Sequence, residues 1–216
     1  MRIRILEILT RDLNKTKNFY SESLGLQVTT ESADHFSISL PYSTLRFRLC
    51  HTGSPVYHIA FTIPCNQIED SWQWIRNRAE LIPISNDEYI ADFSNWNAQA
   101  LYFFDNNGNI LELIGRRDLH NDSNSGFTSS SILTISEVGM VTENVKHCCE
   151  ALMKNFGLEY FSRQQPQKDF AAVGEDSGLL IVVPENRNWY PTKIKSGKYW
   201  LKVLFEHGGK EYVIET

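Results

Sequence analysis

No run in this sequence approaches the roughly 20 consecutive apolar residues that a membrane-spanning helix requires, which argues against a helical membrane protein. Excess positive charge is lacking too. The formal net charge is −5 and the pI is near 5.7, so a general nucleic-acid or anionic-membrane surface is not expected. The opening Met1-Arg2-Ile3-Arg4-Ile5-Leu6-Glu7 alternates charged and apolar residues like a strand. It has neither the apolar core nor the small-residue cleavage site of a signal peptide, and the expectation is a cytoplasmic protein. Cysteine is sparse. Cys50, Cys65, Cys148 and Cys149 form no CxxC pair, and the adjacent two could bond only through a strained ring. They read as reduced thiols acting as small buried hydrophobes. A Gly-rich phosphate loop, a Gly-x-Ser-x-Gly elbow and a paired-Cys zinc motif are all missing, so none of those three chemistries has support.

What is present is a 216-residue chain, 42% hydrophobic, with room for one large domain or two small ones. The polar run Arg117–Gly126, continued by Thr128-Ser129-Ser130-Ser131, marks a boundary between residues 1–116 and 132–216. Sliding the sequence by 132 positions places Thr10 on Thr142, Gly25 on Gly157 and Leu26 on Leu158, with Ile5 on Glu137 and Ile8 on Met140, without a gap. Each copy starts as a short apolar strand, then has a polar turn and a helical stretch, which Asp12 is placed to cap in the first copy. Gly25 and Gly157 sit where a left-handed helix end is expected. Strands are expected over 36–40, 45–50, 170–173 and 179–183. Residues 56–116 repeat the order: strand 56–63, helix 67–78, then strands 88–93, 98–104 and 110–114, the last two joined by the turn-former Asp105-Asn106-Asn107-Gly108-Asn109. Residues 1–116 thus hold two β-α-β-β-β units. Residues 132–216 hold one, plus a hairpin remnant over 198–216 turned at His207-Gly208-Gly209.

Three stretches carry a family resemblance. They are Ile8–Leu13 with Phe19-Tyr20 and Leu24-Gly25-Leu26; Tyr57-His58-Ile59-Ala60-Phe61; and Leu101–Leu113, ending Asp105-Asn106-Asn107-Gly108-Asn109-Ile110-Leu111-Glu112-Leu113. Together they resemble the vicinal oxygen chelate superfamily: glyoxalases, bleomycin-resistance proteins and extradiol dioxygenases. The resemblance covers nearly all of 1–116 and is weaker from 132 to about 184. It implies an α+β fold of paired βαβββ units whose curved mixed sheets form a cleft, with the second domain (132–216) truncated. It also implies a divalent metal held by first strands of two partner units and the last strand of one. His58 and Glu112 match two of those ligands. The third position lies seven residues before the turn Asp or Asn: Ile5 in the first domain, which cannot bind metal, and Glu137 in the second, which can. If the two domains pair in trans, Glu137 meets His58 and Glu112, and Ile5 faces the truncated unit. The ion could be Zn, Mn, Ni or Fe(II). Glu7, two residues from Ile5, competes as the outer ligand.

Each of these residues has a plainer reading. His58 could be a hydrogen-bonded core histidine, Glu137 a strand-end glutamate, and Glu112, between Leu111 and Leu113, could pair with an arginine instead of a metal. By strand parity Trp96, Ala98, Ala100 and Tyr102 share a face, and the resemblance makes Tyr102 a substrate contact. Arg46 and Arg48 either hold an anionic substrate or face water. Residues 184–191 form a lid or a packed connector. The resemblance implies a glyoxalase-type lyase or isomerase, with Glu112 or Glu137 moving a proton. An extradiol-type dioxygenase and a drug-binding protein without metal are the alternatives. The expected partner is a small molecule, and the chain is expected to be a monomer with intrachain pairing or a homodimer.

Overall fold

The computed structural model describes residues 1–216. The first unit comprises β1 (Arg2–Thr10), α1 (Leu13–Asn18), β2 (Gln27–Glu31), β3 (His35–Ser39) and β4 (Thr44–Leu49). The second has β5 (His58–Thr62), α2 (Ile68–Ile75), β6 (Glu80–Ile82), β7 (Ile90–Phe93), β8 (Ala98–Phe104) and β9 (Ile110–Arg116). The third has β10 (Thr134–Thr142), α3 (Val145–Phe156), β11 (Ala171–Glu175) and β12 (Gly178–Pro184). The remnant is the hairpin β13 (Leu201–His207) and β14 (Lys210–Glu215). The fold is α+β, with curved mixed sheets as the motifs imply.

The helices begin and end where local chemistry requires. The Asp12 carboxylate accepts from the Lys15 amide at 3.0 Å, and Asn144 does the same for His147 at 3.0 Å. Gly25 and Gly157 have φ of +64° and +69°, the left-handed conformation in which glycine meets no steric cost. Two strands were not expected. β2 is a polar, mostly exposed edge strand, and β6 is three residues long, so neither has an apolar alternation to reveal it.

The first strands of the units pair across the chain. β10 runs antiparallel to β5, and β1 antiparallel to β13. One sheet therefore has the order β14-β13-β1-β4-β3-β2, and the other β11-β12-β10-β5-β9-β8-β6, with β7 also on β8. The sheets do not follow the division at 117–131: the remnant returns to the first unit, and the third joins the second. The apolar faces of both sheets and the helices close one core, including Leu6, Ile8, Phe47, Phe61, Leu113 and Val138. The opposite face of the larger sheet builds a second, smaller apolar cluster around Ala60, Ala98, Ala100 and Tyr102.

The segment 117–131 is largely exposed yet tied down. The Cys65 amide donates to Asn121 Oδ1 at 3.1 Å, Asn121 Nδ2 donates to the Ile63 carbonyl at 3.2 Å, and the Phe127 ring lies 5.4 Å from Trp74. Of the four cysteines, all free, only Cys149 is fully buried; the others are half-buried, short of the expected core positions. No helix is long and apolar enough to cross a membrane.

Candidate metal centre

Strand register brings the candidate ligands together. Across the larger sheet, Tyr102 on β8 faces Glu112 on β9, Glu112 faces Ala60 on β5, and Ala60 faces Glu137 on β10. His58 lies two residues before Ala60 and so points to the same side. Ala60 is the small residue between two carboxylates and leaves the space above it open. A β-bulge between Ile135 and Glu137 interrupts the β10 ladder just before the ligand position. The same irregularity lies between Ile3 and Ile5 on β1, at the 132-residue offset. Ile5 and Glu137 therefore occupy matching places in their sheets.

The ligand-type atoms of His58, Glu112 and Glu137 all lie within 4.8 Å of one another, and all three residues are buried. His58 Nε2 is 3.6 Å from Glu112 Oε2. The matching row in the smaller sheet runs from Thr44 through Ile5 to Leu204, with Lys202 in the place of His58. That row offers no ligand set. Glu7 is committed to the smaller sheet as well, with Arg48 at 2.6 Å and Arg46 at 3.5 Å, so it does not compete for the centre. Arg46 and Arg48 thus have a partner in Glu7.

Burial sets the protonation states. It pushes the His58 imidazole down to about 4, so the ring is neutral at neutral pH and its lone pair is free. Burial, then the neighbouring Glu137 charge, pushes the Glu112 carboxyl well above the usual range, with Arg116 opposing. Burial also raises Glu137, again against Arg116. Tyr102, beside both carboxylates, is raised well above an ordinary phenol by burial and then by their charges. A neutral imidazole and two carboxyl groups packed this closely suit a divalent cation, which would neutralise what burial makes costly.

Two features of the site were not anticipated from the sequence. The first is Arg116, fully buried at the end of β9, whose guanidinium donates to Glu137 Oε1 and lies 3.5 Å from Asp176 Oδ1. Its planar head sits 5.2 Å from the Trp96 ring. The second is Trp189. Residues 185–197 fold back as a hairpin, with Asn186 and Ser196 bonded at 2.8 Å and Trp189 and Ile194 at 2.9 Å. This packs Trp189 5.2 Å from the His58 ring. Within 184–191 Trp189 is thus packed into the wall of the site, while Tyr190 beside it is half exposed. Trp96 lies on a short 3-10 turn before β8 rather than on the strand itself, yet still reaches the cavity.

The cavity above the three ligands has a volume of about 180 Å³. Phe93, Trp96, Tyr102, Phe170, Trp189 and Tyr190 form its aromatic lining, and Gln164 and Arg187 supply polar groups. A β-carbon built on Gly139 would lie 2.6 Å from Trp189, so glycine is what lets the wall close. Gly139→Ala should cost about 1–3 kcal/mol and displace Trp189. Thermal denaturation with tryptophan fluorescence would check this; an unchanged melting temperature and emission would show that the wall is loose.

A second expectation concerns pH. The folded-state value for Glu112 is raised above its ordinary 4.5, so the folded protein holds a proton that the unfolded chain releases. Stability of the metal-free protein should therefore fall as pH rises from about 4.5 toward that raised value, by up to about 1.4 kcal/mol per pH unit. Glu112→Gln removes this loss, so its melting temperature should overtake that of the parent as pH rises. Parallel curves for the two proteins would mean that Glu112 ionises in the fold at no cost.

No protein-family model matches the sequence, and no curated relative matches it. Solved structures do resemble it. A Bacillus subtilis protein named as a candidate dioxygenase superposes with a TM-score of 0.64 at 15% identity, over 100% of this chain and 84% of its own. Two variants of glyoxalase I from Zea mays give 0.58 and 0.57, at 14% and 13% identity, over 90% of this chain and 70% and 71% of theirs. At these identities the likeness is one of architecture. The chain has the fold of these glyoxalase and dioxygenase structures.

Proposed function

We propose that this chain is a divalent-metal-dependent enzyme of glyoxalase type, acting on a small substrate with neighbouring oxygens. The observation that carries this reading is the convergence of His58, Glu112 and Glu137 within 4.8 Å at a cavity, on strands from two different units. When bound, a divalent ion would polarise the substrate oxygens and stabilise the negative charge that develops on them. The remaining work belongs to the chain. His58 stays neutral and so serves as a ligand without first losing a proton. Glu112 carries no arginine of its own, so it is the carboxyl group freer to accept and return a substrate proton. Glu137 is held by Arg116 and acts as the fixed ligand. Tyr102, facing Glu112 across the ladder, offers a neutral hydroxyl donor. Buried Trp189 walls the site on one side, and the 180 Å³ volume limits the substrate to a small molecule.

The aromatic lining favours one alternative in particular, an extradiol-type dioxygenase that seats a catechol ring. Solvent-deuterium exchange into a panel of small α-hydroxycarbonyl compounds, followed by NMR with Zn²⁺, Mn²⁺ or Ni²⁺, tests the main reading. Exchange that disappears in Glu112→Gln supports it. Oxygen uptake with Fe²⁺ and catechols, without exchange, favours the dioxygenase. Ligand capture without metal or turnover favours a drug-binding protein.

A further inference from the structure

In the reaction just described the buried cation beside the centre does no more than hold Glu137. Arg116 is absent from the cavity lining, so it does not touch substrate. It lies fully buried against the edge-to-face pair of Trp96 and Phe161, 5.2 and 5.6 Å from the two rings. Its terminal nitrogens reach Glu137 Oε1 and Asp176 Oδ1, and its Nε has no partner. Stripping a guanidinium of water is expensive, and such a pair is often no more stabilising than apolar residues of the same volume. Stability alone is therefore a weak reason for a charge here.

Glu137 is where the two roles meet. The same carboxylate that completes the candidate metal centre is the one Arg116 holds. A divalent ion and the guanidinium would thus be rival partners for one carboxylate. Any arriving cation meets a site already partly neutralised.

We propose that Arg116 is the resident counter-cation of the centre: it orders Glu137 while the site is empty, and it weakens metal binding so that the ion remains exchangeable. Asp176 tunes this by sharing the guanidinium. The inference rests on the metal-centre reading above. Its consequence has a direction opposite to damage. Removing Arg116 should strengthen metal binding, whereas a merely structural arginine would weaken it when lost.

The test is calorimetric titration with Mn²⁺ at fixed pH and ionic strength on the full chain. Arg116→Met should bind Mn²⁺ at least about tenfold more tightly than the parent, because a nearby unit charge is removed from a poorly solvated site. Arg116→Lys keeps the charge and should stay close to the parent. Asp176→Asn should weaken binding, since Glu137 then has Arg116 to itself. Asp176 is partly exposed, so this variant is expected to fold even if Arg116→Met does not. Parent binding with unchanged or weaker affinity in Arg116→Met overturns the inference and leaves the metal centre standing. If Arg116→Met cannot be obtained folded, unchanged or tighter binding in Asp176→Asn overturns it. No Mn²⁺ binding by the parent removes both readings.

Discussion

Glu137→Gln should lower Zn²⁺ or Mn²⁺ affinity by at least about 100-fold in a chain that still folds, at lower stability because buried Arg116 loses its carboxylate partner. Loss of outer-sphere partners alone is worth about 10–100-fold, and here a ligand itself is replaced. His58→Ala and Glu112→Gln should do the same. Glu137→Gln is the informative member of the set, because Glu137 comes from β10 of the third unit and the other two from β5 and β9 of the second. Its ligand atoms reach theirs only through the antiparallel β5–β10 pairing. Titration calorimetry on the three variants would check this. Loss in His58→Ala and Glu112→Gln with full affinity in Glu137→Gln would move the third ligand elsewhere.

Arg116→Met should destabilise the metal-free protein by about 3–5 kcal/mol, since it leaves the buried Glu137 carboxylate without its partner. For a chain of this size that corresponds to a melting temperature about 6–20 °C lower. Replacing both members, Arg116→Met with Glu137→Gln, should recover most of the loss, because no unpaired charge is left buried. Thermal denaturation of the two single variants and the double variant, without metal, measures the coupling. Additive losses would show that the two side chains act independently.

The difference between what could be read from the sequence and what could not lies in the range of the contacts. His58 and Glu112 sit in local motifs, and Glu137 falls at an offset that the repeat exposes. The matching bulges at Ile3–Ile5 and Ile135–Glu137 give that offset a structural form. Arg116 borders the polar run Arg117–Gly126 and lies two residues beyond the strand expected over 110–114, so its immediate neighbours do not mark it as buried. The available signal was parity: residues 112, 114 and 116 alternate onto one face of β9. Trp189 was harder to place. It reaches His58 by a hairpin that has no apolar period, and the trace in the sequence is Gly139, a glycine in the interior of β10. The cross-chain sheets follow from pairing between distant units, which no local pattern specifies.

Crystals of the protein soaked in Mn²⁺, with anomalous diffraction recorded, test the central claim most directly. The expected result is one anomalous peak at the cavity floor, about 2.0–2.3 Å from a nitrogen of His58 and from one oxygen each of Glu112 and Glu137. A peak elsewhere, or none at saturating Mn²⁺ with the three side chains positioned as here, would contradict it.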